Sequence, residues 1–286
     1  MAETVKAKLL LGWMKQSEAV KALNSCVFEE HLTQRKAVAL WKKYRDRVLA
    51  LEPRNPMALP ALPFTNAEQQ AIENHIRRVR SGPNGRFFSE VIKIHPGDLV
   101  ARQFHVLTEH SEQYAQGMQN DAARINACLG IGLEFNGQLV LRQVSPKRAI
   151  IDLPHPEFVV VPNQVGIHFQ ERDRYIVAVR TAGDRILLWG GYHRTHALLC
   201  HMAGDAAGTA PLLTVMTGIP EVEDFLARPS PVRDTVLGER PALLRDFLND
   251  ELFIAVNLLK KRAEGRIEQI RPGKFRAGVF LVNDDT

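Results

Sequence analysis

Residues 185–200, with the sequence RILLWGGYHRTHALLC, constrain the fold more than any other stretch of this chain. A short apolar run leads into the pair Gly190–Gly191, and apolar residues at helical spacing follow Tyr192. Paired glycines let a backbone turn sharply and approach a ligand closely. The stretch therefore predicts a strand, a tight turn and a helix that begins at about Tyr192.

The same turn has the chemistry of a phosphate site. The first N–H groups of a helix that starts there, together with the helix dipole, favour an anion in the turn. An arginine adds donors suited to phosphate oxygens, and a histidine adds a donor or a proton carrier. A plain turn with a capping or salt-bridged His-Arg pair would give the same pattern, so that alternative stays open. The predicted phosphate-binding residues are Gly190, Gly191, Tyr192, His193 and Arg194.

The segment LLWGGYHRTHALL, followed by PLLTVMTG, resembles the Gly-x-His-Arg turn of the ParB/sulfiredoxin superfamily. In that superfamily a strand, a Gly-x-His-Arg or Gly-x-Arg-Arg turn and a helix hold nucleotide phosphates. ParB partition proteins bind CTP, and related free-serine kinases bind ATP. Gly190, Gly191, His193 and Arg194 match the sulfiredoxin turn residue by residue. The resemblance covers residues 87–218 and leaves 120–160 unaligned.

A weaker similarity, in FFSEVIKIHPGDLVARQF, implies that Arg102 and Gln103 lie near the phosphates. The resemblance thus implies a nucleotide-binding protein that takes ATP or CTP with Mg²⁺, with NTP hydrolysis or phosphoryl transfer as its activity. Sulfinic-acid reduction is not expected, because Tyr192 replaces the cysteine nucleophile of sulfiredoxins. Chromosome partition is not expected either, because no evident recognition helix follows the domain. No catalytic residue is assigned, although an acid near Arg102 could act as a general base: Asp98, Glu109 or Glu112.

Charge is concentrated near the N-terminus. The chain has 37 basic and 32 acidic residues, and residues 31–54 alone hold seven basic against two acidic ones. Lys36, Lys43 and Arg47 form a stripe on one predicted helix, opposite its apolar face. The stripe is either the solvated side of an amphipathic helix or a surface for DNA. The alternative function is therefore a DNA-binding or regulatory protein with a vestigial nucleotide site, and a scaffold or small-molecule enzyme that keeps only the fold stays open.

Membrane and metal classes find little support in the sequence. No apolar run approaches the roughly 18 residues needed to cross a bilayer, so a cytoplasmic protein is expected. The three cysteines, Cys26, Cys128 and Cys200, are too scattered for a disulfide framework. His193, His196 and Cys200 share one helix face, but no second cluster at ligand spacing accompanies them, and we expect no metal site.

The order of predicted elements indicates an α+β (mixed α/β) protein with three regions. Residues 1–84 read as a helical region with N-caps at Ser17, Thr33 and Thr65. Residues 85–220 read as the ParB/sulfiredoxin-like domain, with a hairpin turn at TAGD (181–184) and a helix at 109–127. Residues 221–286 read as a helical extension, clearest at 239–265, that ends in a short hairpin or strand. The sequence leaves the oligomeric state open.

Overall fold

The computed structural model describes residues 3–28, 32–54, 61–82, 84–131, 141–153, 158–162, 167–171, 175–181, 184–201, 210–272 and 274–283. The α+β class is confirmed. The chain forms two compact units. The larger unit comprises Val5–Ile131 and Arg174–Leu258, and the smaller comprises Met1–Thr4, Gly132–Asp173 and Leu259–Thr286. Within the described residues, no helix combines the length and the apolar character that crossing a membrane requires.

The helices of the larger unit are α1 Gln16–Asn24, α2 Gln34–Leu49, α3 Asn66–Ser81, α4 Thr108–Gly117, α5 Asp121–Leu129, α6 Tyr192–His201, α7 Pro220–Ala227 and α8 Pro231–Leu237. The predicted caps at Thr33 and Thr65 are confirmed, since each side chain accepts a backbone N–H of the first turn. The cap predicted at Ser17 is wrong, because α1 begins one residue before it. The single helix predicted at 109–127 is two helices, α4 and α5.

The strands are β1 Thr4–Leu9, β2 Cys26–Val27, β3 Phe88–Lys93, β4 Val100–Ala101, β5 His105–Leu107, β6 Leu141–Ser145, β7 Arg148–Leu153, β8 Phe158–Pro162, β9 Ile167–Glu171, β10 Val177–Arg180, β11 Ile186–Gly190, β12 Leu212–Met216, β13 Ile254–Leu259, β14 Lys261–Arg271 and β15 Lys274–Asn283. The larger unit holds a sheet of order β3-β12-β10-β11-β4 and a sheet of order β2-β13-β1-β5. The predicted hairpin of β10 and β11 is confirmed.

The main core of the larger unit lies between its helices and the five-stranded sheet. Ile176, Leu188 and Leu213 from the sheet region pack in it with Ile125 of α5 and Leu198 of α6. Burial of each such side chain stabilises the fold by about 1.5–3 kcal/mol. This packing fixes α5 and α6 against the sheet, and so fixes the start of α6 at the end of β11.

The helical extension predicted at 221–286 is wrong beyond α8. Leu244–Leu248 is a 3-10 helix, and residues 254–271 form β13 and β14. The apolar run LFIAVNLL fits a helix or a strand when periodicity alone is considered. Its neighbours decide the outcome, because β13 lies between β2 and β1 in their sheet. The hairpin expected at the C-terminus is confirmed as β14 and β15, longer than predicted.

The N-terminal region is not wholly helical either, because it starts with β1. Val5, Ala7 and Leu9 of β1 are buried, and the residues between them are more exposed. This alternation is typical of a strand with one face on a core. Together β1, β5 and β13 place strands from all three predicted regions in one sheet.

The smaller unit holds an antiparallel sheet of order β15-β14-β7-β6 and the hairpin of β8 and β9. Ile151, Leu153 and Ala263 form its small core, with Val279 packed against them. Two turns lie at one end of this sheet, one between β6 and β7 and one between β14 and β15.

Candidate functional site

The turn between β11 and α6 has the predicted strand, turn and helix. β11 ends at Gly190 and α6 begins at Tyr192, so Gly191 makes the turn. Gly191 has a φ of 86°, a backbone conformation that L side chains rarely adopt. A Cβ at this position would also lie 3.1 Å from Cγ1 of Ile176. Glycine is therefore the residue that fits here without strain.

Two parallel strands bring their carboxyl ends to this turn. β4 and β11 pair in parallel, with Leu188 opposite Ala101. Arg102 directly follows β4, and Gly191 directly follows β11. Ligands of open α/β sheets commonly bind outside the carboxyl ends of parallel strands. The sheet thus brings Arg102 and the glycine turn together.

The hydroxyl of Tyr192 joins the two loops. It donates a hydrogen bond to the carbonyl oxygen of Leu188 at 2.6 Å. It accepts the backbone N–H groups of Arg102 at 2.6 Å and of Gln103 at 3.1 Å. Burial raises the pKa of Tyr192 to about 12, so the hydroxyl keeps its proton. The side chain is thus committed to positioning Arg102, and the backbone N–H is the part of Tyr192 left for the predicted phosphate role.

The Arg102 guanidinium lies over an aromatic ring instead of beside a carboxylate. Its Cζ is 4.0 Å from the ring centroid of Trp189, the residue before the glycine pair. Its Nε is excluded from solvent and has no hydrogen-bond partner. Within the described residues, no acidic side chain forms an ion pair with it. Trp189 therefore holds the cation by stacking, without neutralising its charge.

His193 sits in the first turn of α6 with an unused ring nitrogen. Its Nε2 is shielded from solvent and has no hydrogen-bond partner among the described residues. Its ring packs edge-on against His110, with 5.2 Å between centroids. Burial and, to a lesser extent, the neighbouring histidines and Arg194 together lower the pKa of His193 to about 3. The imidazole is therefore neutral at physiological pH.

A phosphate role predicts that Arg194 lies exposed in an open turn, and that expectation is wrong. Its side chain is buried, with 3% of its surface exposed. The guanidinium donates a hydrogen bond of 2.9 Å to the carbonyl oxygen of Ala127, near the end of α5. The residue therefore ties α6 to α5. The helical spacing of apolar residues predicts α6, but it does not reveal that the Arg194 side of its first turn faces α5.

The histidines and cysteine that share a face of α6 pack against the protein. His196 is buried with its ring against Phe247, at 6.0 Å between centroids. Cys200 Sγ lies 3.8 Å from Nδ1 of His196. In the described part of the chain, no three histidine, cysteine or acidic side chains are grouped so that they could hold a metal ion.

The acids considered as general bases have other contacts. Asp98 accepts a hydrogen bond of 2.6 Å from Arg245. Glu109 accepts the backbone N–H of Lys6 at 3.0 Å, which ties α4 to β1. Glu112 is exposed on α4. The structure assigns none of the three to the turn.

The basic stripe lies on α2, remote in sequence from the turn. Lys36 and Lys43 are exposed. Arg47 is partly buried, lies over the ring of Tyr44 and donates a hydrogen bond of 2.7 Å to the carbonyl oxygen of Glu251. Part of the stripe is therefore used to hold α2 against the rest of the larger unit.

Trp189 and the hydroxyl of Tyr192 are the site features that sequence reasoning missed. Both residues stand inside the motif, yet spacing gives no role to either side chain. The sequence does hold one signal for them: Trp189 and Tyr192 flank the glycine pair, and the resemblance already placed Arg102 near the turn. An aromatic residue beside an arginine can stack on it or position it.

No protein-family model, no curated protein and no solved structure matched this chain in the comparisons with known proteins. The fold and the turn define the class as an α+β protein with a strand, Gly-Gly turn and helix beside an arginine-bearing loop. Function has to be argued from these residues.

Proposed function

We propose that this protein binds the phosphate groups of a nucleotide at the turn between β11 and α6. One observation carries the proposal: Arg102 has no carboxylate partner in the described chain and is held beside the start of a helix, its backbone N–H by the Tyr192 hydroxyl and its guanidinium by the Trp189 ring. A cation kept ready at a helix N-terminus is suited to an anionic ligand.

Each part of the turn has a role in this proposal. The backbone N–H groups of Tyr192 and His193 point out of the first turn of α6, where they and the helix dipole favour phosphate oxygens. Arg102 neutralises the phosphate charge through its terminal nitrogens. Neutral His193 supplies an additional hydrogen bond from its unused Nε2. Gly191 lets the backbone approach the ligand without a Cβ in the way.

ATP or CTP is the proposed nucleotide, in line with the resemblance to the ParB/sulfiredoxin turn. The described residues beside the turn do not present a carboxylate cluster suited to Mg²⁺, because Asp98 is paired with Arg245 and Glu109 with the backbone of β1. The described residues at the turn therefore offer no ligand set for a metal ion and no side chain with a catalytic role. The proposal concerns binding, with hydrolysis or phosphoryl transfer as activities to be tested once a ligand is known.

Thermal melts with ATP, CTP, GTP and inorganic triphosphate, each with and without Mg²⁺, test the proposal. A ligand that binds only the folded state stabilises it by roughly 2.7 kcal/mol at a hundredfold excess over Kd, which raises the melting temperature. Arg102→Ala should remove the shift. Arg77→Ala, which replaces an exposed arginine of α3, is the matched control and should keep it. Absence of a shift with every ligand, or an undiminished shift in Arg102→Ala, would contradict the proposal.

The alternative function is DNA binding through the stripe of Lys36, Lys43 and Arg47. The exposure of both lysines supports it. Neutralising the three residues together should then weaken binding to duplex DNA and reduce its dependence on salt. A gel shift at about 50 mM salt, where phosphate contacts are strong, decides between the two functions.

A further inference from the structure

We propose that three histidines beside the turn between β11 and α6 bind one phosphate group of the ligand together with a proton. They are His105 of β5, His110 of α4 and His193 of α6, and we call them the histidine cluster. The inference rests on the proposed function, which brings phosphate groups to this turn. It adds His105 and His110 to the site and makes binding depend on pH.

The three histidines come from different elements and meet beside the turn. The ring centroids of His110 and His193 are 5.2 Å apart, with the rings edge to face. His105 is also close enough for its charge to act on the pKa of His193. Nε2 of His105 lies 3.1 Å from the side-chain nitrogen of Gln103. Because Gln103 directly follows Arg102, the cluster borders the arginine-bearing loop.

Basic groups surround His193. After burial, the groups that lower the pKa of His193 are His110, His105, His196 and Arg194. Each of them, when charged, repels a proton from the ring. Nε2 of His193 is shielded from solvent and has no hydrogen-bond partner among the described residues. An anion beside this nitrogen would reverse the repulsion.

The titratable side chains of α4 other than His110 have contacts of their own. Glu109 accepts the backbone N–H of Lys6 at 3.0 Å. Burial, followed by the charge of Glu112, raises the pKa of Cys200, which lies toward the C-terminal end of α6. The ring centroid of Tyr114 lies 5.9 Å from Cζ of the α6 arginine. The two carboxylates of α4 thus act on β1 and on the far end of α6.

The two 3-10 helices packed against α6 carry carboxylates that are already paired. Asp98 accepts a hydrogen bond of 2.6 Å from Arg245. Asp246 accepts one of 2.5 Å from Arg54. Lys8 of β1 acts on the same helix with a positive charge. The charges that these elements add near α6 are therefore neutralised or positive.

A bound phosphate changes the protonation of the cluster. A negative charge within about 4–6 Å favours the protonated imidazole and raises its pKa by roughly 1–3 units. A proton from the solvent therefore joins the cluster as the phosphate binds, and the imidazolium N–H donates to a phosphate oxygen. Interacting histidines titrate together, so the proton belongs to the cluster as a whole. Since the complex holds the proton more tightly than the free protein does, affinity must rise as the pH falls.

Isothermal titration calorimetry with ATP, CTP and inorganic triphosphate, without Mg²⁺, counts the protons. Measured at about pH 7 in two buffers of different ionisation enthalpy, wild-type protein should take up roughly one proton per bound ligand. Affinity should rise by up to about tenfold for each unit that the pH falls. Inorganic triphosphate should give the same uptake as the nucleotides, because the cluster contacts phosphate alone.

Two cluster variants and one control locate the proton. His110→Asn and His193→Asn should each reduce the uptake to less than about half and flatten the pH dependence. His95→Asn is the matched control, because His95 is exposed and its Nδ1 accepts the backbone N–H of Gly97, which asparagine can also accept. It should keep the full uptake. The terminal phosphate of the ligand titrates near pH 6, but equally for every variant, so differences between variants report the histidines.

The outcomes separate this inference from the proposed function. Binding of ATP or CTP to wild-type protein without proton uptake would overturn the inference and leave the proposed function standing. Uptake that persists in both cluster variants, or that falls equally in His95→Asn, would also overturn it. Absence of binding to all three ligands would overturn both. Loss of uptake confined to His110→Asn and His193→Asn, in variants that bind and melt cooperatively, would support the histidine cluster as the proton-linked phosphate subsite.

Discussion

Arg124 and Arg102 are two shielded arginines of the larger unit with opposite arrangements. Arg124, on α5, donates hydrogen bonds to Glu68 at 2.8 Å and to the carbonyl oxygen of Ala210 at 3.0 Å. Glu68 is fully buried and also accepts from Lys93 at 2.9 Å. Both arginines have a buried Nε without a hydrogen bond, so the contrast lies in their terminal nitrogens. Those of Arg124 meet the Glu68 carboxylate, whereas Arg102 forms no ion pair with a carboxylate within the described residues.

The presence or absence of a carboxylate partner separates a structural role for Arg124 from a binding role for Arg102. A buried charge is costly unless a partner of opposite charge is close. Burial raises the pKa of Glu68, but the Thr65 amide, Arg124 and Lys93 together bring the pKa below its ordinary value. That network is complete without a ligand and belongs to the fold. Arg102 keeps its charge available, and a ligand anion is the partner that completes its surroundings.

Among the substitutions, removal of the Glu68 charge should have the largest effect on stability. Glu68→Gln leaves Lys93 buried without an opposing charge and leaves Arg124 with only the exposed Asp121, at 3.5 Å. Breaking a buried pair in this way costs about 3–5 kcal/mol of unfolding free energy. Urea unfolding measures the loss. Glu73→Gln, an exposed glutamate of the same helix, should change stability by less than about 0.5 kcal/mol. Equal effects of the two substitutions would show that the network does not stabilise the fold.

Tyr192→Phe should have the second-largest effect on stability. This substitution removes the hydroxyl that bonds the carbonyl oxygen of Leu188 and the backbone N–H groups of Arg102 and Gln103. These backbone groups lose their partner, which should lower the free energy of unfolding by about 3 kcal/mol in total. It should also abolish the nucleotide-dependent shift in the melt, because Arg102 loses its position. Tyr44→Phe is the matched control, because Tyr44 is a buried residue whose hydroxyl makes no hydrogen bond to another described residue. A variant that keeps wild-type stability and ligand response would rule out the positioning role.

Arg194→Ala should be destabilising, contrary to what an open turn predicts. Loss of a buried guanidinium and its bond to Ala127 should cost about 2 kcal/mol, the size of a hydrogen bond to a charged group. The effect is measured without ligand, by the urea midpoint. An unchanged midpoint would place the guanidinium outside the packed interior.

Acid should destabilise the fold, because two buried histidines are neutral in the folded state and bind protons more readily when the chain unfolds. Burial lowers the pKa of His75 and of His196 to about 4 in the folded state. The unfolded chain binds these protons at about pH 6.5, so stability is complete above that pH and falls as the pH drops toward 4, by about 1.4 kcal/mol per pH unit for each proton. Urea unfolding at a series of pH values tests this. Stability that rises between pH 6.5 and 4 would contradict it.

Arg102→Ala should have the smallest effect on stability and the greatest effect on binding. Its contact with Trp189 contributes about 0.5–1 kcal/mol, as expected of a cation on a ring near the surface. Unliganded stability should therefore fall by about 1 kcal/mol or less. A loss as large as that of Glu68→Gln would make Arg102 a structural residue and remove the contrast with Arg124.

The sequence predicts those parts of the site that depend on local conformation. The strand, the left-handed Gly191 and the start of α6 follow from residues next to each other, and the cap at Thr65 follows from Glu68 three residues on. Such features need few distant contacts. The same holds for the hairpin of β10 and β11, whose turn residues lie between the two strands.

The rest depends on partners far away in the chain. Tyr192 meets Arg102 across 90 residues, and nothing in the motif reveals that contact. Arg194 turns inward because Ala127 lies beside it, 67 residues earlier. β13 becomes a strand because neighbouring strands accept it, although its apolar run also suits a helix. Helical period alone misassigned residues 254–265 for this reason.

The position of β1 has a consequence for how the chain is made. β1 lies between β5 and β13, so one of its edges is covered by residues 254–259. At about 5–20 residues per second, a ribosome needs roughly 12–50 s to add the intervening chain. Throughout that time the edge of β1 next to β13 lacks its native neighbour and is open to pairing with other strands. The larger unit can close this sheet only after residues 254–259 have been synthesised, so the edge of β1 is a site of possible mispairing until then.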